Sequence, residues 1–576
     1  MKTVLIKIKE KIKKLIIYLQ TSEAAFLLLF SFVIGFGAGF GAVIFRWLIG
    51  TFKTLFFEQG HNFFQFMGQY YVILVPAIGG LIVGPLIYFF AREAKGHGVP
   101  EVMLAVAALG GKIRPRVAVI KALASSICIG SGGSVGREGP IVQIGSALGS
   151  SLGQLFRLSE EKVKILVACG AAGGIAATFN APLAGIFFGL EVILREYGIR
   201  FFSSVVLSSV TATIISRHFL GDHPAFMVPT YELLSIWEIP LYFFFGFLAA
   251  FAALLFIKLV YKCEDIFDAW KVREYIKPAI GGLLIGLIGF FFPQIFGVGY
   301  ETIELALFGK IAMGLVSALI FVKILATSLT LGSGGSGGVF APSLFIGGML
   351  GEAYGKLTYF LVPNFAIPAG ACALVGMGAV FAGAAQAPIS AIIIIFEMSG
   401  NYKIILPLMI TCIISTAVVK RFSRDSIYTL KLRRRGIDIL SIKDLDLMET
   451  IRVSEAMVKD VMTVDENTSV SNEYLMVHRG FPVLDSKGEL VGMVTRPDIN
   501  KALAKGETET LIRVIMTRDI IRCYPDENLR QALEKLAERD IGRIPVVERG
   551  NHNHLIGLIT RENIIAAYNQ ALKKNK

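Results

Sequence analysis

Charged residues are scarce in this chain: Asp, Glu, Lys and Arg make up 18% of its 576 residues, against 54% hydrophobic, and mean hydropathy is +0.63. A soluble protein of this size needs a largely polar surface, so the balance places the chain in a bilayer. Cysteine is sparse and scattered. Cys128, Cys169, Cys263, Cys372, Cys412 and Cys523 form no CxxC pair and have no neighbouring His, which argues against a disulfide framework or a structural zinc. The formal net charge of +13 would suit nucleic acid, but the basic residues crowd at the ends of apolar segments and do not alternate with aromatics. That is the positive-inside signature of a membrane protein, and nucleic acid is excluded as a partner.

What is abundant is long apolar sequence. A spanning helix needs about 20 apolar residues, and Ala24–Gly50, Tyr70–Ala91, Pro240–Tyr261, Ile311–Leu331 and the shorter Ile404–Val419 meet that need. Runs opening at Pro140, Pro182, Pro342 and Pro388 are punctuated by glycine and too closely spaced for each to cross a bilayer. They predict half-helices that stop inside the membrane, where protein or a cavity must receive their ends. Residues 1–22 carry lysines and aliphatics at helical spacing and predict an amphipathic helix on the membrane surface. A cleaved signal peptide fits less well, because lysines break the apolar stretch.

The chain repeats itself. Gly130-Ser131-Gly132-Gly133-Ser134-Val135-Gly136-Arg137-Glu138-Gly139-Pro140 and Gly332-Ser333-Gly334-Gly335-Ser336-Gly337-Gly338-Val339-Phe340-Ala341-Pro342 agree at seven of eleven positions. Downstream, Asn180-Ala181-Pro182 with Glu191 is echoed by Gln386-Ala387-Pro388 with Glu397, each acid nine residues past its proline. Corresponding interrupted segments in two halves point to a transporter binding site. Past Val419 the sequence turns basic, and from Val453 it is soluble in character. There Val461-Met462-Thr463, Phe481-Pro482-Val483 and Leu490–Thr495 recur as Ile515-Met516-Thr517, Ile544-Pro545-Val546 and Leu555–Thr560, which predicts a compact pseudo-twofold α/β unit. Basic residues at both ends of the membrane part place the N-terminal helix and this tail in the cytoplasm.

Three segments put backbone N–H groups and a proline at the start of an apolar helix: Gly96-His97-Gly98-Val99-Pro100, Gly136-Arg137-Glu138-Gly139-Pro140 and Gly338-Val339-Phe340-Ala341-Pro342. Proline suits a first helical turn, and glycine admits a ligand close to the backbone. The unpaired N–H groups and the positive end of each helix dipole then receive an anion without a full cationic charge, so that it can also leave. Glu138 is an ionisable group in apolar sequence, and such a group is by default functional. The bland alternative for it is an ion pair with Arg137.

With GREGP at 136–140 and GxFxP at 338–342, the sequence from about Glu23 to Arg435 resembles the CLC family of chloride channels and proton/chloride antiporters. The resemblance implies an all-α polytopic membrane protein with two inverted-topology repeats and broken, re-entrant helices. It implies a homodimer with a pore in each subunit, carrying chloride or a related small anion across the cell membrane. It implies a protein that is not an enzyme and needs no cofactor. Glu138 would be the gating carboxylate, and the backbone at Gly136, Arg137, Gly139, Val339 and Phe340 would hold the anion, with Tyr428 donating its phenol. Two departures stand out. His97 occupies a position usually held by Ser, and it would either donate to the anion or point away. Val192 stands where coupled members often carry a proton-transfer glutamate, which favours a channel over the alternative of a proton-coupled antiporter. Glu191 and Glu397 read as structural, bonding to backbone where the repeats meet.

The tail resembles a CBS (Bateman) pair, whose cleft in other proteins often holds an adenine nucleotide. Thr495 and Asp498 match its Thr-x-x-Asp pattern, while Thr560 is followed by Asn563; the alternative is a module that stabilises a dimer and binds nothing. The first repeat is shorter, as if a helix were clipped. The domains expected are an N-terminal helix at 1–22, a transport domain at 23–430, a basic linker at 431–452 and the CBS pair at 453–570. Other classes fit worse. Gly132–Gly136 and Gly334–Gly338 both fit GxSxG, the elbow of a serine hydrolase, but only His97 lies in a comparable motif. No Lys-Ser/Thr follows the glycine runs, so a P-loop is excluded. A divalent-cation channel would want clustered acids in the membrane segments, and the signature loops here are lined by glycine.

Overall fold

A computed structural model of the chain describes residues 23–439 and 447–574, apart from 64, 230, 232–234, 364–366, 473–474 and 476–477. The amphipathic helix expected at 1–22 lies outside the described residues. The chain divides into two compact units, Met1–Ile439 and Leu440–Lys576.

The first unit is helical. Six helical stretches among the described residues are long and apolar enough to cross a membrane: Ala25–Gln59, Gln65–Phe90, Glu160–Phe179, Glu238–Ala269, Met313–Gly332 and Tyr402–Phe422. Five coincide with the apolar runs. Glu160–Phe179 was not among them, because Cys169-Gly170-Ala171-Ala172-Gly173-Gly174 makes it a helix of small residues, packed inside the protein and not against lipid. The shorter helices fall at the motifs: Val99–Ala108, Pro182–Phe188 and Pro388–Ser399 span only about 10–18 Å at 1.5 Å per residue, less than a bilayer core. The runs at Pro140 and Pro342 differ from the half-helix expectation. They form Glu138–Leu155 and Phe340–Leu361, of 18 and 22 residues, each with its proline held in the first turn.

The repeat is visible in the backbone. Glu160–Phe179 ends on Asn180 at φ 58° and Ala369–Ala385 on Gln386 at φ 53°; both are left-handed C-caps, and an Ala-Pro then opens the next helix. The halves meet along Tyr71–Phe90 and Lys277–Phe291. Gly80 and Gly84 on the first lie against the carbonyls of Pro278 and Tyr275; Gly282 and Gly286 on the second lie against those of Pro76 and Ile73. A Cβ at any of the four would overlap backbone, so small residues set this approach.

Residues 431–439, expected as the start of the basic linker, belong to the first unit instead. Thr429–Arg434 is a helix, and Lys431 is buried, with Nζ 3.4 Å from Glu101. Ile451 and Val453 already sit in an apolar core of the second unit.

That second unit is the expected pseudo-twofold α/β pair. Val464–Asp465 pairs in parallel with Gly480–Leu484, which pairs antiparallel with Leu490–Thr495; Arg543–Glu548 and Asn551–Thr560 form the matching hairpin. Each repeat's lead-in crosses to the other's hairpin: Val458 and Leu558 exchange two 2.9 Å backbone bonds, and Met493 and Thr517 exchange bonds of 2.9 and 2.8 Å. The second repeat carries the helix Leu529–Glu538, and the corresponding stretch of the shorter first repeat falls partly outside the described residues.

Candidate functional site

The three motif loops converge. Gly136 N donates to Gly338 O at 2.8 Å and Gly338 N to Gly136 O at 2.6 Å, joining the starts of the Glu138 and Phe340 helices across the two halves. Gly96 joins them: its N donates to Gly335 O at 3.0 Å and its O accepts from Gly337 N at 3.3 Å. Glycine is required for this approach. A Cβ on Gly139 would overlap the His97 carbonyl oxygen and lie 3.0 Å from the Gly338 Cα. Ser336 Oγ donates to Ala94 O at 2.8 Å and lies 2.8 Å from Ser125 Oγ, Ser134 Oγ is buried with no hydrogen-bond partner, and His97 Nε2 lies 3.4 Å from the Tyr261 hydroxyl, so neither serine pairs with His97 and the hydrolase reading falls.

A fourth loop, Gly297-Val298-Gly299-Tyr300, completes the centre and was missed in the sequence. It is the repeat mate of Gly96-His97-Gly98-Val99, 201 residues on, and its signal was the surviving Gly-x-Gly. Two buried lysines, equally unforeseen, hold the pair. Lys121 Nζ donates to the carbonyls of Ala94 and Gly96 at 2.9 and 2.6 Å, and Lys323 Nζ to those of Ile295 and Gly297 at 3.0 Å each. Each ammonium satisfies the ends of a broken helix from the side, where no further helical turn supplies N–H donors.

Glu138 lies at the meeting point and is 1% exposed. Its Oε1 accepts from the Tyr300 hydroxyl at 2.8 Å, and its Oε2 faces Ala341 N at 3.4 Å, inside the first turn of the Phe340 helix. The carboxylate of one half therefore occupies the helix N-terminus of the other. Arg137 is no ion-pair partner for it: the guanidinium lies 5.1 Å from the Tyr300 ring centre and donates to Thr178 O at 3.4 Å. Phe340 packs between the rings of Phe179 and Phe381, with centroids 5.0 and 4.3 Å away. Val339 is the N-cap residue of this helix.

His97 and Tyr428 are both buried, with ring centroids 6.0 Å apart. Tyr428 N-caps Thr429–Arg434, held by Ser426 Oγ at 3.3 Å from its amide. Tyr261, also unforeseen, links the two: its hydroxyl donates to Ile427 O at 2.5 Å and lies 3.4 Å from His97 Nε2. Lys431 and Arg435 flank Glu101 at 3.4 and 2.8 Å. Val192 is buried in a π-helical stretch, Gly189–Leu194, with no polar atom on its side chain. Glu191, one residue before it, reaches the other half, accepting from Ile389 N at 3.3 Å and from Ser390 N and Oγ at 2.6 Å. In the tail, Thr495 and Asp498 bond each other in a capping box, with Oγ1 to Oδ2 at 2.5 Å, and Thr560 Oγ1 donates to Asn563 Oδ1 at 2.6 Å.

Two similar halves, membrane-length helices and a glycine-lined meeting of broken helix ends define a membrane transport protein with an anion-receptive centre, not an enzyme. Residues 79–420 match the model of the voltage gated chloride channel family, and residues 453–505 and 512–570 each match the CBS domain. The chain belongs to that family of anion transport proteins. It is 34% identical over 374 residues, 64% of this chain and 87% of the other, to a ClcB-like chloride channel protein of Ralstonia nicotianae. It is 35% identical over 373 residues, 63% of this chain and 79% of the other, to the H(+)/Cl(-) exchange transporter ClcA of Vibrio parahaemolyticus. Among solved structures, that of a slow cyanobacterial Cl-/H+ antiporter superposes with a TM-score of 0.66 at 26% identity, covering 71% of this chain and 97% of that one.

Proposed function

We propose that this chain exchanges chloride for protons across the cell membrane, one pore per subunit, with Glu138 as the group that both blocks the anion path and takes the proton. The observation that carries the reading is the Glu138 carboxylate at the Ala341 amide. A carboxylate seated at a helix N-terminus is a stand-in for the transported anion. Protonation weakens its hold on that amide and on the Tyr300 hydroxyl, and an incoming chloride then takes its place. In this reading the backbone at Gly136, Arg137, Gly139, Val339 and Phe340 forms the cradle, and Tyr428 and His97 contribute their side chains to it.

Val192 favoured a channel, but the exchangers among the relatives support the coupled alternative. The same reading makes the protein a lipid-embedded homodimer with both termini cytoplasmic, and makes the tail pair a sensor that takes an adenine nucleotide near Thr495, Asp498 and Thr560. Proteoliposomes loaded with chloride, with proton uptake recorded alongside, test the central claim. Fixed proton movement per chloride is expected; chloride flux with no proton movement would return the protein to the channel class. Calorimetric titration of the full chain with adenine nucleotides tests the sensor, and heat at the buffer baseline for all of them removes it.

A further inference from the structure

Exchange requires a proton to reach Glu138 from the inner side, and Val192 offers nothing to carry it. His97 does. The Tyr261 hydroxyl hydrogen is committed to Ile427 O at 2.5 Å, so toward His97 Nε2, 3.4 Å away, that oxygen can only accept. This places the imidazole hydrogen on Nε2 and leaves Nδ1 as the basic nitrogen. Nδ1 is fully buried and has no hydrogen-bond partner. An orphaned acceptor in a glycine-lined anion site is costly, and toward an anion its lone pair is repulsive. Once protonated, the same nitrogen becomes a charge-assisted donor to that anion.

A way in exists. His97 lines a cavity of about 10 Å³ together with Lys95, Gly96, Val260, Glu264, Leu331, Gly332 and Lys431, room for about one water. Glu264 is half-buried and is the carboxylate on its wall. The charges around His97 are otherwise mostly positive: Lys121 Nζ on Gly96 O, Lys95 and Lys431 on the cavity wall, and Arg435 beyond, with Glu101 between the last two. A further positive charge at the imidazole is balanced only while an anion sits beside it.

We propose that His97 is the inner proton carrier of this protein, accepting a proton on Nδ1 from the Glu264 side of the cavity only together with a bound anion, and delivering it to the Glu138 carboxylate. The proposal rests on the exchange reading above. The step balances: Nδ1 gains a proton from a water in that cavity and later releases it, Glu138 passes from carboxylate to carboxylic acid, and no bond between heavy atoms changes. Anion and proton binding are then linked, each tightening the other by the same factor.

The test uses the full chain in proteoliposomes with chloride and proton fluxes recorded together. In His97→Gln, which keeps a hydrogen-bond donor but cannot carry the charge, protons moved per chloride should fall by about tenfold or more. In Glu264→Gln, protons moved per chloride should fall severalfold. A coupled wild type whose His97→Gln variant keeps the wild-type ratio overturns the relay and leaves exchange standing. A wild type that moves no protons overturns both. Should His97→Gln fail to fold, chloride binding to a Glu138→Gln protein decides. With that carboxylate removed, binding should tighten as pH falls, by up to about tenfold per pH unit; pH-independent binding overturns the relay.

Discussion

Glu191 and Glu397 cap each other's helix. Glu191, at the end of the Pro182 segment, accepts from Ile389 and Ser390 at the start of Pro388–Ser399, and Glu397, near the end of that helix, accepts from Leu183 N at 3.0 Å and Ala184 N at 2.6 Å at the start of Pro182–Phe188. Proline opens both helices and removes one donor from each first turn, and the two acids satisfy the donors that follow. Glu397→Ala should cost the protein about 1–2 kcal/mol, the usual loss of a capping group. Thermal unfolding in detergent reads it as a lowered midpoint, while Glu397→Gln, which keeps one acceptor oxygen, should fall in between.

Glu138→Ala removes the group that competes with the anion. Proton movement should vanish and chloride flux should become largely independent of pH in proteoliposomes. Wild-type pH dependence in the variant would deny Glu138 its gating role.

Tyr300→Phe deletes the hydroxyl that donates to Glu138 at 2.8 Å. That bond favours the charged carboxylate, so losing it makes protonation easier. The pH at which chloride flux is half-maximal should move upward by about one unit, the scale of one hydrogen bond to a charged group. A pH profile of flux for the two proteins is the measurement, and an unmoved midpoint would leave Tyr300 as packing.

Lys323→Met strands the carbonyls of Ile295 and Gly297, the loop that presents Tyr300. A loss of about 2–5 kcal/mol is expected from two unsatisfied buried acceptors. Lys121→Met should behave alike through Ala94 and Gly96. Denaturation midpoints of both variants, read with the flux of any folded protein, separate loss of fold from loss of transport.

Much of the site was legible because its chemistry is backbone chemistry, and backbone constraints leave glycine and proline behind. Gly136–Pro140 and Gly338–Pro342 could be matched by eye, and they do meet, through Gly136 and Gly338. What escaped notice was held by side chains whose partners are distant in sequence. Tyr300 lies 162 residues from Glu138, and nothing local marks it except two glycines. Lys121 and Lys323 look like stray charges in apolar runs until the carbonyls they serve are seen. The helix Glu160–Phe179 was passed over because a helix buried among helices is built of Gly and Ala, which score poorly as membrane sequence. The boundary expected after residue 430 falls too early for a similar reason: a basic run reads as solvated linker, whereas Lys431 and Arg435 turn inward to Glu101 and the first unit runs to Ile439.

The glycines facing Pro278, Tyr275, Pro76 and Ile73 bear on how anything moves here at all. Main chain keyed into main chain leaves no slack, and tilting one repeat past its twin would drive carbonyl oxygens into alpha carbons. A machine of this kind cannot turn over by swinging large bodies; its moving part has to be as small as one side chain, and a protein whose two repeats were stapled together along that seam should still run.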